Sequence, residues 1–507
     1  MPELARRTLL ATAAATAATS SFAQSAPKRG GVLKVSVAQR LAQLNPLKLS
    51  SNSEYMSASL LYDSLTRLGM DMSPQPALAI GWVGNADATE FTFQLRPGVT
   101  FHDGQAMTSE DVAATFRAIL DPKTGSPARS AIGPIAEVVP QPGAVRIRLS
   151  SPFADLPIAM AHPNARIIPA RIASGDLNVL SSTAVGTGPF KLETYDSSRV
   201  LRVVRNPDYF VEGRPYLDAV EQYLYPDLAA EAGAFLARQT DVMLEVGQAD
   251  YGRIAGSSGV AAQRVKSGRY ANLVLRMDTK PFDDVRVRRA LAMSIDRPTL
   301  VDLVLDGLGR VAWDTPISPE YPYYEPVPHV QHDPAGARKL LAEAGYPNGV
   351  KATLTCSDRP AIRQQLGIAV KELAQAGGFD IEVQTVPNDF YIANVWRKGP
   401  FYVGYWNMRP TEDIAFTLLF TTDGAFADSA WNSKQFDDVI AQARRTPDPA
   451  ERKRLYTQAE TLMTTDLPYI IPFFQDILTA SRSDVRGYTV HPTQLDFPFE
   501  QVWLDRG

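Results

Sequence analysis

The stretch VGTGPFKLETYDSSRVLRVVRNPDYF, Val185–Phe210, decides how the rest of the chain is read. It opens on two glycines, Gly186 and Gly188, two residues apart. A phosphate cradle would need a helix directly after them, so that free amides at the helix start could face the anion. Lys191–Asp196, KLETYD, has no clear helical pattern. The stretch therefore reads as a glycine turn entering a strand, where the chain crosses tightly between domains.

Outward from that turn, strands and helices alternate and no unit repeats. GGVLKVSVAQ, from Gly30, reads as a first strand. TEFTFQL puts Phe91, Phe93 and Leu95 on one face and Thr92 and Gln94 on the other; AVRIRLS does the same with Val145, Ile147 and Leu149 against two arginines. Such alternation marks strands with one wet face. Helices announce themselves by caps. Asp333-Pro334 and Asp448-Pro449 each place a side-chain acceptor before a proline, whose missing N–H costs nothing in the first turn. The first of these helices stops at Gly345, and the second carries Leu455, Ala459, Leu462 and Met463 on one face. Thr108 caps a third, with Val112, Phe116, Ile119 and Leu120 at helical spacing.

A chain of 507 residues exceeds what one hydrophobic core usually serves, so two or three domains are expected. With 45% hydrophobic and 21% charged residues it has the composition of a globular protein, and its net charge of −4 offers no basic footprint for nucleic acid. MPELARRTLLATAAATAATSSFAQSA has Arg6 and Arg7, a short Ala-, Leu- and Thr-rich run, and small residues at Ser21 and Ala23. This predicts a signal peptide over 1–23, cleaved after Ala23, by either the twin-arginine or the general secretory route. No cysteine near that site offers a lipid anchor, and the single Cys356 has no partner for an internal disulfide. LPYIIPFF is too short and too proline-broken to span a bilayer.

Chemistry-bearing motifs are scarce. G-x-S-x-G, H-E-x-x-H and Walker-type loops are missing from the sequence. GLGRVA lacks the third glycine and preceding strand of a dinucleotide site. His329 and His332 have metal-ligand spacing, but they sit in a Pro- and Tyr-rich loop whose Asp333 reads as a helix cap. His102, in FHDGQ, reads as a turn residue. With five histidines and no convergent set, neither catalysis, a metal nor a cofactor is expected.

The same stretches carry a resemblance. GGVLKVSVAQRLAQLNPLKLS, FHDGQAMTSEDVAATFRAILDP, the 185–210 stretch, PFDDVRVRRALAMSIDRPTLVDLVLDGLG, DPAGARKLLAEAGYPNG and DPAERKRLYTQAETLMTTDLPYIIPFF follow one another at suitable intervals. The chain resembles the family 5 extracellular solute-binding proteins, the dipeptide, oligopeptide and nickel class that feeds ATP-driven importers. The resemblance runs from about Gly30 to the C-terminus. It implies a two-lobed α/β fold of the type II periplasmic-binding-protein kind, with a two-strand hinge and an extra inserted domain. Lobe one would comprise 30–62, 185–268 and 475–507, the insertion 63–184 and lobe two 269–474. It also implies a periplasmic, non-catalytic, monomeric receptor that works with the membrane-embedded permease subunits of an ABC importer.

YWNMRPTEDIAF, Tyr405–Phe416, matches a segment that lines the cleft in the peptide-binding members and carries an aspartate for the peptide ammonium. Matching Trp406, Glu412 and Phe416 puts Arg409 in that place, with the opposite sign. Pro410-Thr411-Glu412-Asp413 reads as a helix entry capped by Thr411, and a guanidinium before free helix amides suits a carboxylate or phosphate. Arg409 could instead pair with Glu412 or Asp413, or face solvent. The resemblance further implies that the backbone of Tyr405, Trp406 and Asn407 pairs with an extended ligand, Trp406 being equally suited to form a packing wall. Ser50, Ser51 and Asn52 would face them from lobe one or form an ordinary loop. Arg363 and Arg276 match two further positions near ligand. The expected cargo is a short peptide or peptide-like compound, anionic or amino-blocked. A metal-chelate, opine or sugar-phosphate receptor is the alternative within the class; a secreted hydrolase or an exported chaperone is the alternative outside it.

Overall fold

Gly186 and Gly188 are glycines for a steric reason. A Cβ on either would collide with the backbone of Leu61, whose carbonyl accepts the Gly188 N–H. The 185–190 turn is thus pressed against the end of the helix Asn52–Leu61 and enters the strand Phe190–Asp196, the glycine turn into a strand that the sequence suggested. His102 is part of this contact, its backbone N–H donating to the Gly186 carbonyl and its ring bonded to that of Gly188.

The computed structural model describes residues 26–506; the expected leader, 1–23, lies outside them. Its centre is a twelve-stranded mixed sheet. The strands run in the order Phe379–Val386, Val350–Ser357, Phe401–Trp406, Val260–Leu275, Phe473–Arg482, Val242–Met243, Val32–Val37, Ala219–Leu224, Val200–Arg205 and Phe190–Asp196, with two short strands pairing off this path. Val260–Leu275 belongs to both halves. Its first part pairs with Phe473–Arg482, its last six residues pair with Phe401–Trp406, and the register shifts between Val265 and Arg269. These two long strands tie together two separately packed halves. Leu273, Leu354 and Phe401 sit in one core of the second half; Tyr402, Phe416 and Tyr456 sit in another.

Between Ala79 and Leu149 a separate four-stranded antiparallel sheet forms. Phe91, Phe93 and Leu95 of one strand and Val145, Ile147 and Leu149 of its partner turn inward, following the alternation. They join the core that also holds Leu33, Val35 and Leu60, so this insert and the first half are packed as one body. The helices begin where their caps say. Asp333 accepts from the Gly336 amide before Pro334–Glu343, and Asp448 from the Glu451 amide before Pro449–Asp466. Thr108 and Asp111 form a capping box before Ser109–Leu120. No described helix is long and apolar enough to cross a membrane.

Candidate functional site

The Phe401–Trp406 strand delivers the central side chain. It ends after Trp406, and Thr411 opens the next helix, Glu412–Leu419, by accepting from the Ile414 amide. The connection Asn407–Pro410 crosses the gap between the halves. There Asn407, Met408 and Arg409 form one wall of a cavity of about 370 Å³. Ser50, Asn52, Tyr55 and Thr493 of the first half and Phe153 and His162 of the insert close it from the other side. A volume of this order suits a small-molecule ligand.

Arg409 is the charge that this cavity does not balance. Its backbone N–H donates to the Tyr321 hydroxyl at 3.0 Å, and its guanidinium lies 5.3 Å from the centre of the Trp406 ring. Its Nε is shut off from solvent and has no hydrogen-bond partner. No carboxylate among the described residues lies within ion-pair distance of it. The two acids that could have neutralised it are turned elsewhere. Glu412 accepts from the Tyr323 amide at 2.8 Å, and Asp413 faces Arg444 at 3.4 Å. Burial lowers the Arg409 pKa from its ordinary value, opposed only by the nearby hydroxyls of Tyr270, Tyr321 and Tyr55. Burial, with Arg409 and Arg166 adding to it, also pushes His162 down to about 4, so this imidazole is neutral at physiological pH. With Asp413 set against Arg444, the wall carries a net positive charge.

The other expected residues divide. Ser50 and Asn52 line the cavity, across from the wall of Asn407, Met408 and Arg409. Ser51 does not; its side chain caps the helix Asn52–Leu61 in a capping box with Glu54. Trp406 lies behind the wall, in an aromatic cluster with Trp396 and Phe426 at centroid distances of 6.3 and 5.7 Å. Tyr405 packs against the opposite core, near Arg269. One edge of these two residues pairs with Ala271 and Tyr270; the other edge of their strand carries a single bridge, from Tyr402 to Thr355. Arg363 is off the cavity, stacked 4.7 Å from the Tyr391 ring and donating to the Arg359 carbonyl. Arg276 is also away from it, because Asp278 engages two of its nitrogens and the Arg397 carbonyl a third. Its own sequence neighbourhood supplies the partner that a cleft position would have withheld.

Sequence reasoning missed the far wall. His162, Phe153 and Arg444 carry no local signal of a site, because each reaches the cavity only through packing of the insert against the second half. That packing has polar anchors. Asp155 of the insert pairs with Arg452 at 2.6 Å, the Ala154 amide donates to the Arg444 carbonyl at 2.9 Å, and the Arg444 guanidinium lies over Phe153.

Two α/β halves, bridged by two long strands and enclosing a cavity between them, define a solute-binding receptor of the periplasmic-binding-protein type. The chain belongs to the bacterial extracellular solute-binding proteins, family 5, whose model for the middle region matches residues 73–428; these are receptors rather than enzymes. Among its relatives is a glutathione-binding protein of Escherichia coli, GsiB, 28% identical over 93% of this chain and 94% of that protein. The fold matches the binding protein AgaA of A. tumefaciens R10, solved with agropinic acid (TM-score 0.79, 25% identity, 94% of this chain and 99% of that one). It also matches the oligopeptide-binding protein AppA of Bacillus subtilis, solved with a nonapeptide (TM-score 0.78, 22% identity, 95% and 100%).

Proposed function

We propose that this protein is an exported, monomeric receptor that captures a short peptide or peptide-like compound between its halves. It delivers that cargo to the permease subunits of an ABC importer, without chemical change to it and without a nucleic-acid partner. The cargo carries a carboxylate or phosphate that docks on Arg409. One observation carries the reading: a guanidinium on the cavity wall whose Nε is shut off from solvent, with no acid of the chain beside it among the described residues. Leaving such a charge unpaired costs several kcal/mol, and an anionic ligand removes that cost through charge-assisted hydrogen bonds. Relatives that bind glutathione and agropinic acid support the same chemistry, since both compounds are acids.

Isothermal titration of the protein with glutathione, agropinic acid and short acidic peptides tests this. At least one should bind, and Arg409→Gln should weaken that binding by about 2–5 kcal/mol, the usual cost of truncating one partner of a buried charge pair. Unchanged affinity in the variant would refute the anion assignment.

A further inference from the structure

Beside the large cavity lies a second, much smaller one of about 30 Å³, lined by Gln39, Asn52, Glu231, Glu245, Gln494 and Phe497 among others. It sits at the carboxyl ends of the parallel strands Val32–Val37 and Val242–Met243, the rim where open α/β sheets hold ligands. Asn52 belongs to the walls of both cavities. The partition is thin: Asn52 donates to the Gln494 side chain at a long 3.4 Å, while Thr493 and Leu495, on either side of Gln494, line the large cavity.

Glu231 is to the small cavity what Arg409 is to the large one. It projects from the helix Leu228–Leu236 and is 1% exposed, and its Oε1 is buried without a hydrogen-bond partner. Glu245, the other acid of this wall, is already paired with Arg269 at 3.0 Å. Glu231 has no basic side chain within ion-pair distance among the described residues. We infer that Glu231 is the floor of a cation subsite that receives the ammonium group of the ligand, so that the cargo is a dipolar ion spanning Glu231 and Arg409. This inference rests on the peptide reading above and narrows it, by excluding amino-blocked compounds.

The size agrees with the assignment, since a space of this order holds about one water-sized group, and an ammonium is such a group. The amide oxygens of Gln39, Asn52 and Gln494 supply further acceptors for its three N–H bonds. Burial, with Glu245 adding to it, holds the Glu231 carboxyl up at about 8 against the opposing pull of Ser36 and the Ala38 amide. The Glu231 carboxyl is therefore mostly protonated at physiological pH, and an arriving ammonium turns it into one half of a charged pair. The remaining ionisable groups that feel this carboxylate are the phenols of Tyr225 and Tyr488, both raised and uncharged there.

The test offers the protein an enzymatic casein digest of di- to tetrapeptides and, separately, the same digest N-acetylated, and reads what is retained by native mass spectrometry. Wild-type protein should retain free peptides and hold their acetylated counterparts about ten-fold less tightly or worse, the usual loss for one charge-assisted hydrogen bond. Glu231→Gln, nearly isosteric, should erase that preference. Equal retention of free and acetylated peptides by the wild type, or an intact preference in Glu231→Gln, overturns the cation subsite and leaves the anion site on Arg409 standing. Retention of neither digest overturns both. Should Glu231→Gln not fold, the wild-type comparison of the two digests decides alone.

Discussion

Arg452 and Arg409 lie on the same half of the molecule, both face across the gap, and they meet opposite surroundings. Arg452 finds Asp155 of the insert at 2.6 Å and the Tyr456 hydroxyl at 2.8 Å, and its rim of Tyr323 and Tyr456 rings leaves it 5% exposed. Its pKa rises above the ordinary value despite the burial, chiefly through the Asp155 charge. Arg409 finds three tyrosine hydroxyls and no acid, and its pKa falls. The same side chain is a fastener in one place and an open valence in the other. Burial alone does not separate structure from function; whether the chain itself completes the charge does.

The largest effect that could break this comparison lies at the fastener. Asp155→Ala should cost about 3–5 kcal/mol in equilibrium urea denaturation, because it strands a buried cation. The double variant Asp155→Leu/Arg452→Met should recover most of that loss, since an apolar pair of similar volume replaces an ion pair with little penalty. A double variant as unstable as the single one would show that Arg452 matters for something other than its charge.

Arg409→Met should move the other way in the ligand-free protein. Removing a partly desolvated, unpaired cation should leave stability unchanged or raise it by about 1 kcal/mol, equivalent to about 1 °C in a thermal melt of a chain this long. A clear loss of stability would mean that the chain, not a ligand, satisfies this guanidinium. The smallest effect belongs to Arg276. Its pair with Asp278 is partly exposed, so Arg276→Ala should change stability by less than about 1 kcal/mol and leave ligand affinity, followed by titration, unaltered. Weakened binding would bring this arginine back to the cleft.

The three arginines also show how much of the site was legible in the sequence. Arg409 was placed by its position two residues before a capping threonine and by the resemblance of its segment, and it stands on the cavity wall. Arg276 and Arg363 had only aligned positions behind them. What decided their fate was the presence of Asp278 two residues on in one case, and of the Tyr391 ring, brought near by folding, in the other. Ser50, Ser51 and Asn52 are three adjacent residues with separate roles, because a helix starting at Asn52 turns Ser51 inward as its cap and leaves its neighbours on the cavity. Glu231 was passed over in an unremarkable alanine-rich helix. Nothing in its neighbours reveals that its acceptor is left without a donor.

The sequence by itself determined the local grammar: the helix starts at Ser109, Pro334 and Pro449, the inward faces of the Phe91–Leu95 and Val145–Leu149 strands, and the glycine turn at 186–188. Each of these is governed by forces acting within a few residues, namely capping hydrogen bonds, side-chain period and backbone sterics, so each is written where it acts. Only the tertiary structure decided which charges are completed and which are left open. Asp155 and Arg452 are almost three hundred residues apart in the chain, and the walls around Arg409 and Glu231 come from segments spread from Val37 to Phe497. A charge is satisfied or stranded by whatever lies within a few ångströms of it, and in this chain those neighbours are supplied by the closing of two halves, not by the order of residues.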